Sequence, residues 1–338
     1  MAAEHPHIQD PVIPPESLSL RPVSIDVSLT GRCNLKCRYC FYNDEMVALA
    51  DLPTERWLDF FQEAGALGVQ RLTLSGGELF TRQDLFTLID GVIENRMRYS
   101  ILTNGTLITE AVIAAFEQGK RRLRLDSIQV SIDGSCADVH NKSRPPDSFD
   151  KALNGLRRLH QAGFPVTVRV TINHHNVDDL ENIAALLLDD VGLPGFSTNE
   201  ASQMGTARCH GQDVVLTEAE RARARSVLTR LVEKYDNRIS ATAGPLAMAQ
   251  HFADIDKRLA HGETGMDNCG SLSSCGGVFT KMAVLHDGSL VPCNMLPTLT
   301  MGVIGTTSLQ EAWRHHPAIN VVRQRREIAL KSLPGCRD

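Results

Sequence analysis

The chain has 338 residues, enough for one large domain or two with a substantial core, and its 42% hydrophobic and 22% charged content is ordinary for a soluble globular protein. A formal charge of −5 leaves no basic excess to neutralise phosphates, which argues against a nucleic-acid-coating surface. No apolar run reaches the ~18 residues needed to span a bilayer, and the opening MAAEHPHIQDPVIPPESLSL lacks the basic and apolar regions of a signal peptide. A cytoplasmic location is therefore expected.

Residues 1–21 read as a polar, proline-rich N-terminal arm. Between residues 22 and 198, short β-rich runs alternate with amphipathic helical patterns. The predicted strands are PVSIDVSL (22–29), VQRLTLS (69–75), YSILT (99–103), DSIQVSI (126–132), PVTVRVTI (165–172) and GLPGFST (192–198). In 54–67, Trp57, Phe60, Phe61, Ala64 and Leu67 recur at helical spacing. In 149–160, Phe149, Leu153, Leu156 and Leu159 do the same, with Ser148 as the expected N-cap. Six such units predict a parallel sheet with helices packed outside it. A closed eight-unit barrel takes roughly 250 residues, so the expected fold is α/β, a partial (β/α)6 TIM-like barrel over 22–215. Helical patterns at 217–236 and 246–260 form a bridge over 216–264. From 265 to 338 the chain is rich in Gly, Cys and Ser, and reads as a small Cys-rich C-terminal domain. It holds one predicted hairpin, KMAVLHDGSLVPC, turning at Asp287-Gly288.

In a reducing compartment the nine cysteines are better read as metal ligands, catalytic thiols or buried fillers than as disulfides. Cys33, Cys37 and Cys40 fall in GRCNLKCRYCFY, just after the first predicted strand. Three thiolates on one loop suit a cubane iron–sulfur cluster with one iron left open. On spacing alone, zinc remains the alternative.

The spacing Cys-x3-Cys-x2-Cys, with Tyr39 before the last cysteine, resembles the signature of the radical S-adenosylmethionine (radical SAM) family. The later strand ends carry further marks of it: Ser75-Gly76-Gly77-Glu78 after the second strand, Thr103-Asn104-Gly105 after the third, Ser131-Ile132-Asp133-Gly134 after the fourth. His140-Asn141, Arg144 and Ser148-Phe149 resemble a segment ending in an anion-binding arginine. GGELF replaces the commoner GGEP. All of these fall at the C-terminal strand ends, where parallel α/β folds build active sites. The resemblance implies a 4Fe–4S cluster on Cys33, Cys37 and Cys40 that binds SAM and yields a 5′-deoxyadenosyl radical. It implies cofactor contacts from Tyr39, Gly76, Gly77, Glu78, Asn104, Ser131, Asp133 and Arg144, with Arg169 and Asn173 along or beyond the fifth strand as further candidates.

Cys269, Cys275 and Cys293, with Gly288 at the hairpin turn, resemble the front half of a SPASM domain, a module with two auxiliary 4Fe–4S clusters. Cys336 would open its later cysteine run. The chain stops at Asp338, so the expectation is either a trimmed C-terminus or a twitch-like arrangement in which Cys336 closes a single auxiliary cluster. Cys136 and Cys209 match no motif. The resemblance implies a peptide-modifying maturase that installs a crosslink in a ribosomally made precursor. Its implied partners are the precursor peptide, a separate leader-binding protein (the arm having no room for a fused one) and an electron donor such as flavodoxin or ferredoxin. A radical SAM enzyme acting on a small molecule, such as a porphyrin or haem precursor, is the alternative. A sulfatase-maturase-like role is weakened because Asn294 stands where those enzymes place an aspartate base.

Overall fold

The computed structural model describes residues 21–42, 48–261 and 277–324. The strands are β1 Ser24–Ser28, β2 Arg71–Ser75, β3 Arg98–Thr103, β4 Leu125–Ser131, β5 Val166–Ile172, β6 Phe196–Glu200, β7 Ile239–Ala241, β8 Lys281–Val284, β9 Ser289–Val291 and β10 Gly302–Val303. Among the described residues they form one sheet in the order β10-β9-β8-β1-β2-β3-β4-β5-β6-β7. From β1 through β7 every neighbouring pair is parallel. β1 and β6 are not paired, so the barrel is open, as expected for a partial (β/α)6 fold.

Strand alternation sorts the two faces. In β5, Val166, Val168, Val170 and Ile172 are buried against the helices, while Thr167, Arg169 and Thr171 face the inside of the curve. The outer layer is amphipathic in the matching sense. The helix Thr54–Leu67 buries Trp57, Phe60, Phe61 and Ala64 on one stripe and ends at Gly68, whose φ of 87° permits the left-handed cap. The Trp57, Phe60 and Phe61 rings pack on one another.

Three local features differ from expectation. The N-cap position of the helix Ser148–Gln161 is Asp147, not Ser148, and it makes no side-chain cap bond. The Ser148 hydroxyl donates to the Pro145 carbonyl at 2.6 Å, and Asn141 Oδ1 accepts from Phe149 N–H instead. The sixth strand starts at Phe196, because Gly192 (φ 76°) and Pro194 shape a turn before it. β7, only three residues long, was not foreseen. The Asp287-Gly288 hairpin forms as expected, with Gly288 at φ 90°. Its first strand, β8, pairs parallel with β1 from Ser24↔Lys281 to Val27↔Val284. The hairpin therefore continues the barrel sheet beside the cysteine loop. No helix among the described residues is long and apolar enough to cross a membrane.

Candidate functional site

The loop after β1 has few apolar anchors, and hydrogen bonds from other strand ends hold it. Asp51 accepts from Thr30 Oγ1 at 2.6 Å and from Gly31 N–H at 2.8 Å. From the β2 end, Gly77 N–H donates to Thr30 O at 2.7 Å and Glu78 N–H to Arg32 O at 2.8 Å. Arg82 Nη1 donates to Leu29 O at 2.7 Å, and its Nε and Nη2 grip Asp84. Beyond β3, Asn104 Nδ2 donates to Asn34 Oδ1 at 2.9 Å, and Asn34 Nδ2 to Thr106 Oγ1 at 2.8 Å. Past β4, Arg38 N–H donates to Ser143 O at 3.0 Å.

A further tie crosses from β6. Thr206 N–H donates to Cys40 O at 2.8 Å, and its hydroxyl lies 3.1 Å from Cys37 O and 3.2 Å from Cys40 O. Gly205 (φ 52°) makes this approach possible, since a Cβ there would stand 2.1 Å from Cys40 O. The tie joins the two ends of the six-strand run although β1 and β6 do not pair. On the hairpin side, Tyr42 packs with Ala283, Leu285 and Val291, with Cys40 and Phe41 against them. Sequence reasoning missed Asp51, Arg82, Thr206 and Tyr42. The only signal was a Gly-Thr pair beyond a strand whose end was placed too early. Thr206→Val is expected to cost about 1 kcal/mol, the net worth of one hydrogen bond, and to speed iron loss from the reconstituted protein under a chelator. Thr206→Ser should restore retention.

Most of the expected cofactor contacts are engaged with protein groups. Glu78, 1% exposed, accepts from Thr103 Oγ1 at 2.8 Å, Asn104 N–H at 2.7 Å and Phe80 N–H at 3.3 Å. Asn173 spends its side chain on Thr171 O and His175 N–H. A Cβ on Gly76 or Gly77 would meet Thr30 O at 2.4 Å or Arg32 O at 2.2 Å, so both glycines serve contact between the two loops. Asp133, fully buried, accepts from Thr171 N–H at 2.7 Å, from Arg144 Nε at 2.5 Å and from the Tyr39 hydroxyl. Arg144 Nη1 lies 3.9 Å from Cys37 Sγ. Ser131 and Arg169 differ. They are register partners facing the inside of the barrel, half-buried, and Arg169 Nε is buried without a partner among the described residues. Asn199, one strand further on the same face, leaves Oδ1 equally unpartnered. These groups share the inner face of β4, β5 and β6.

His140 sits under this network with Nδ1 accepting the Asp133 N–H at 3.1 Å. Burial, then the nearby Arg144, push its pKa down to about 4, against an opposing pull from Asp133. It is neutral in the folded chain, and its contribution to stability is complete above the unfolded pKa of about 6.5. That contribution is lost as pH falls towards 4, by about 2 kcal/mol at pH 5. The anaerobic urea midpoint should drop between pH 7 and pH 5, and the drop should be smaller in His140→Asn.

The donor set fits an iron–sulfur cluster. Cys33 Sγ accepts from Leu35 N–H, and Cys293 Sγ, on the hairpin, from Met295 N–H. The Arg144 guanidinium stands at Cys37. Burial raises the pKa of all three loop thiols, Cys37 to about 11. Metal must therefore displace protons to bind, as thiolate ligation does. Among the described residues no three His, Cys, Asp or Glu side chains are grouped to hold a single ion. Cys269, Cys275 and Cys336 lie outside the described residues, while Cys136 and Cys209 are exposed.

The profile of the Radical SAM superfamily matches residues 27–187, and the SPASM profile, an iron-sulfur cluster-binding domain, matches residues 275–338. The chain belongs to the radical SAM superfamily. Its cofactors are accordingly 4Fe–4S clusters and SAM. This radical SAM chain is 27% identical over 315 residues to a PqqA peptide cyclase of Ruegeria pomeroyi, covering 91% of this chain and 78% of that protein. It is 26% identical over 323 residues to an AdoMet-dependent heme synthase of Methanosarcina barkeri, covering 92% of this chain and 87% of that protein. Its fold is similar to that of Streptococcus suis SuiB bound to the precursor peptide SuiA. The TM-score is 0.70 at 16% identity, over 90% of this chain and 67% of that one.

Proposed function

We propose that this radical SAM enzyme installs a crosslink in a ribosomally synthesised peptide. The observation that carries the reading is the match to a peptide cyclase over nine-tenths of the chain. When bound, the cluster and SAM supply a 5′-deoxyadenosyl radical that abstracts hydrogen from the substrate. The chain's own part is to position. Cys33, Cys37 and Cys40 would hold the SAM cluster, and the strand-end ties would fix that loop. Ser131 and Arg169 would offer polar contacts to cofactor or substrate inside the barrel. Cys293, with Cys269 and Cys275, would hold an auxiliary cluster, within a domain spanning 265–338 after a barrel of 22–215 and a helical bridge of 216–264. A separate leader-binding protein, an electron donor such as flavodoxin or ferredoxin, and a cytoplasmic location complete the proposal.

The match to a heme synthase supports a second reading, action on a porphyrin-like small molecule. Anaerobic assays of the reconstituted protein with SAM and a reductant, supplied with a candidate precursor peptide or with a porphyrin, separate the two. Loss of a hydrogen pair from the peptide mass, with a new linkage in its fragmentation, supports the first reading. Change in the porphyrin alone supports the second.

A further inference from the structure

We infer that the buried pair Arg144–Asp133 sets the reduction potential of the cluster on Cys33, Cys37 and Cys40, with Tyr39 tying the pair to the cysteine loop. This rests on the reading that those cysteines hold a cluster. The resemblance implied cofactor contacts from Tyr39, Asp133 and Arg144, but the geometry points elsewhere. The side chains of Arg144 and Asp133 are 8% and 0% exposed, and Nε meets Oδ2 at 2.5 Å. The other Asp133 oxygen accepts the Thr171 N–H. Both carboxylate oxygens are thus engaged by protein groups, and the side chain is closed off from solvent. The guanidinium has one further neighbour of consequence, Cys37 Sγ at 3.9 Å, and its carbon stands 5.6 Å from the Tyr39 ring centre. Tyr39 lies between Cys37 and Cys40 in the chain, and its hydroxyl also reaches Asp133. The pair is thus fastened to the same loop whose sulfur its cation approaches.

Reduction adds one negative charge to a cluster. A guanidinium beside a ligand sulfur stabilises the reduced form, and burial strengthens the effect by lowering the local dielectric. Asp133 acts with the opposite sign, at greater distance and through the cation it positions. Hydrogen bonds and net charge around the sulfurs are the levers by which a protein tunes such a cluster. Arg144 is the tuning residue, while Asp133 and Tyr39 are positioning residues.

Opposite signs make the test decisive. The full-length protein is reconstituted, iron and sulfide are measured, and the potential of the SAM-binding cluster is titrated by electron paramagnetic resonance without SAM or substrate. Cys269→Ala and Cys293→Ala in the background remove the auxiliary signal. Arg144→Gln should make reduction at least tenfold less favourable, a fall of about 59 mV for one electron. Asp133→Asn should raise the potential. Arg144→Lys keeps the charge, so its potential should stay close to the wild-type value, and Asp133→Asn, expected to rise, carries the test if Arg144→Gln loses its cluster. Shifts of the same sign in Arg144→Gln and Asp133→Asn would indicate only a loosened loop and overturn the inference, as would unmoved potentials at full cluster content. A wild-type protein without iron would overturn the cluster reading itself, and this inference with it.

Discussion

Gly77→Ala should abolish cluster retention. The added methyl would stand 2.2 Å from Arg32 O and 2.5 Å from Arg32 C, both backbone atoms that cannot swing aside. Relief requires the β2 turn and the cysteine loop to part, which breaks Gly77 N–H to Thr30 O and Glu78 N–H to Arg32 O. Two backbone bonds at about 1 kcal/mol each and the strain of an overpacked contact give a cost of about 3–5 kcal/mol. A loop displaced by about an ångström would cost at least ~100-fold in SAM cleavage. Gly119→Ala is the control. Its φ of 59° is also positive, but a Cβ there meets nothing within 4 Å, so only backbone strain is added. Iron content after desalting and the rate of 5′-deoxyadenosine release read the difference. Equal iron in the two variants would contradict the account.

Glu78→Gln should destabilise the protein by about 3 kcal/mol, the loss of charge-assisted bonds to buried donors. The carboxylate joins the segments that follow β2 and β3 by accepting from Phe80, Thr103 and Asn104. Burial raises its pKa, and those three hydrogen bonds oppose the rise. The amide keeps one oxygen for Asn104 N–H and turns an NH2 group towards Phe80 N–H, leaving donor facing donor. The urea midpoint should fall, and SAM cleavage should fall only in proportion to cluster lost. Unchanged stability with abolished cleavage would mean that Glu78 touches the cofactor instead of bracing the loop.

The barrel was legible because its signals are local. β5 reads VTVRVTI with strict alternation, and the helix at 54–67 carries its four buried residues on one stripe. The cysteine loop and the turns after β2, β3 and β4 could be placed because each follows such a strand. What lay hidden depends on partners distant in sequence. Nothing near Lys281 announces that β8 pairs with β1, more than 250 positions earlier. Gly205-Thr206 looks like any turn until the fold lays it on Cys37 and Cys40. Asp133 and Arg144 were legible as polar marks on strand ends, but whether they faced a ligand or one another was decided by packing. Ser148 was misjudged as a cap because it is already the first helical residue, the left-handed Asp147 holding the N-cap position, and its hydroxyl donates back to Pro145 O.

The central claim is that Cys33, Cys37 and Cys40 hold a cluster at which SAM is reductively cleaved. The most direct measurement is 5′-deoxyadenosine formed anaerobically by the reconstituted full-length protein with SAM and dithionite, beside a variant with all three cysteines changed to alanine. The account predicts release by the wild type and none by the variant, while the variant retains the iron of any auxiliary cluster. Release by both proteins, or wild-type protein that binds zinc in place of iron and leaves SAM intact, would contradict it.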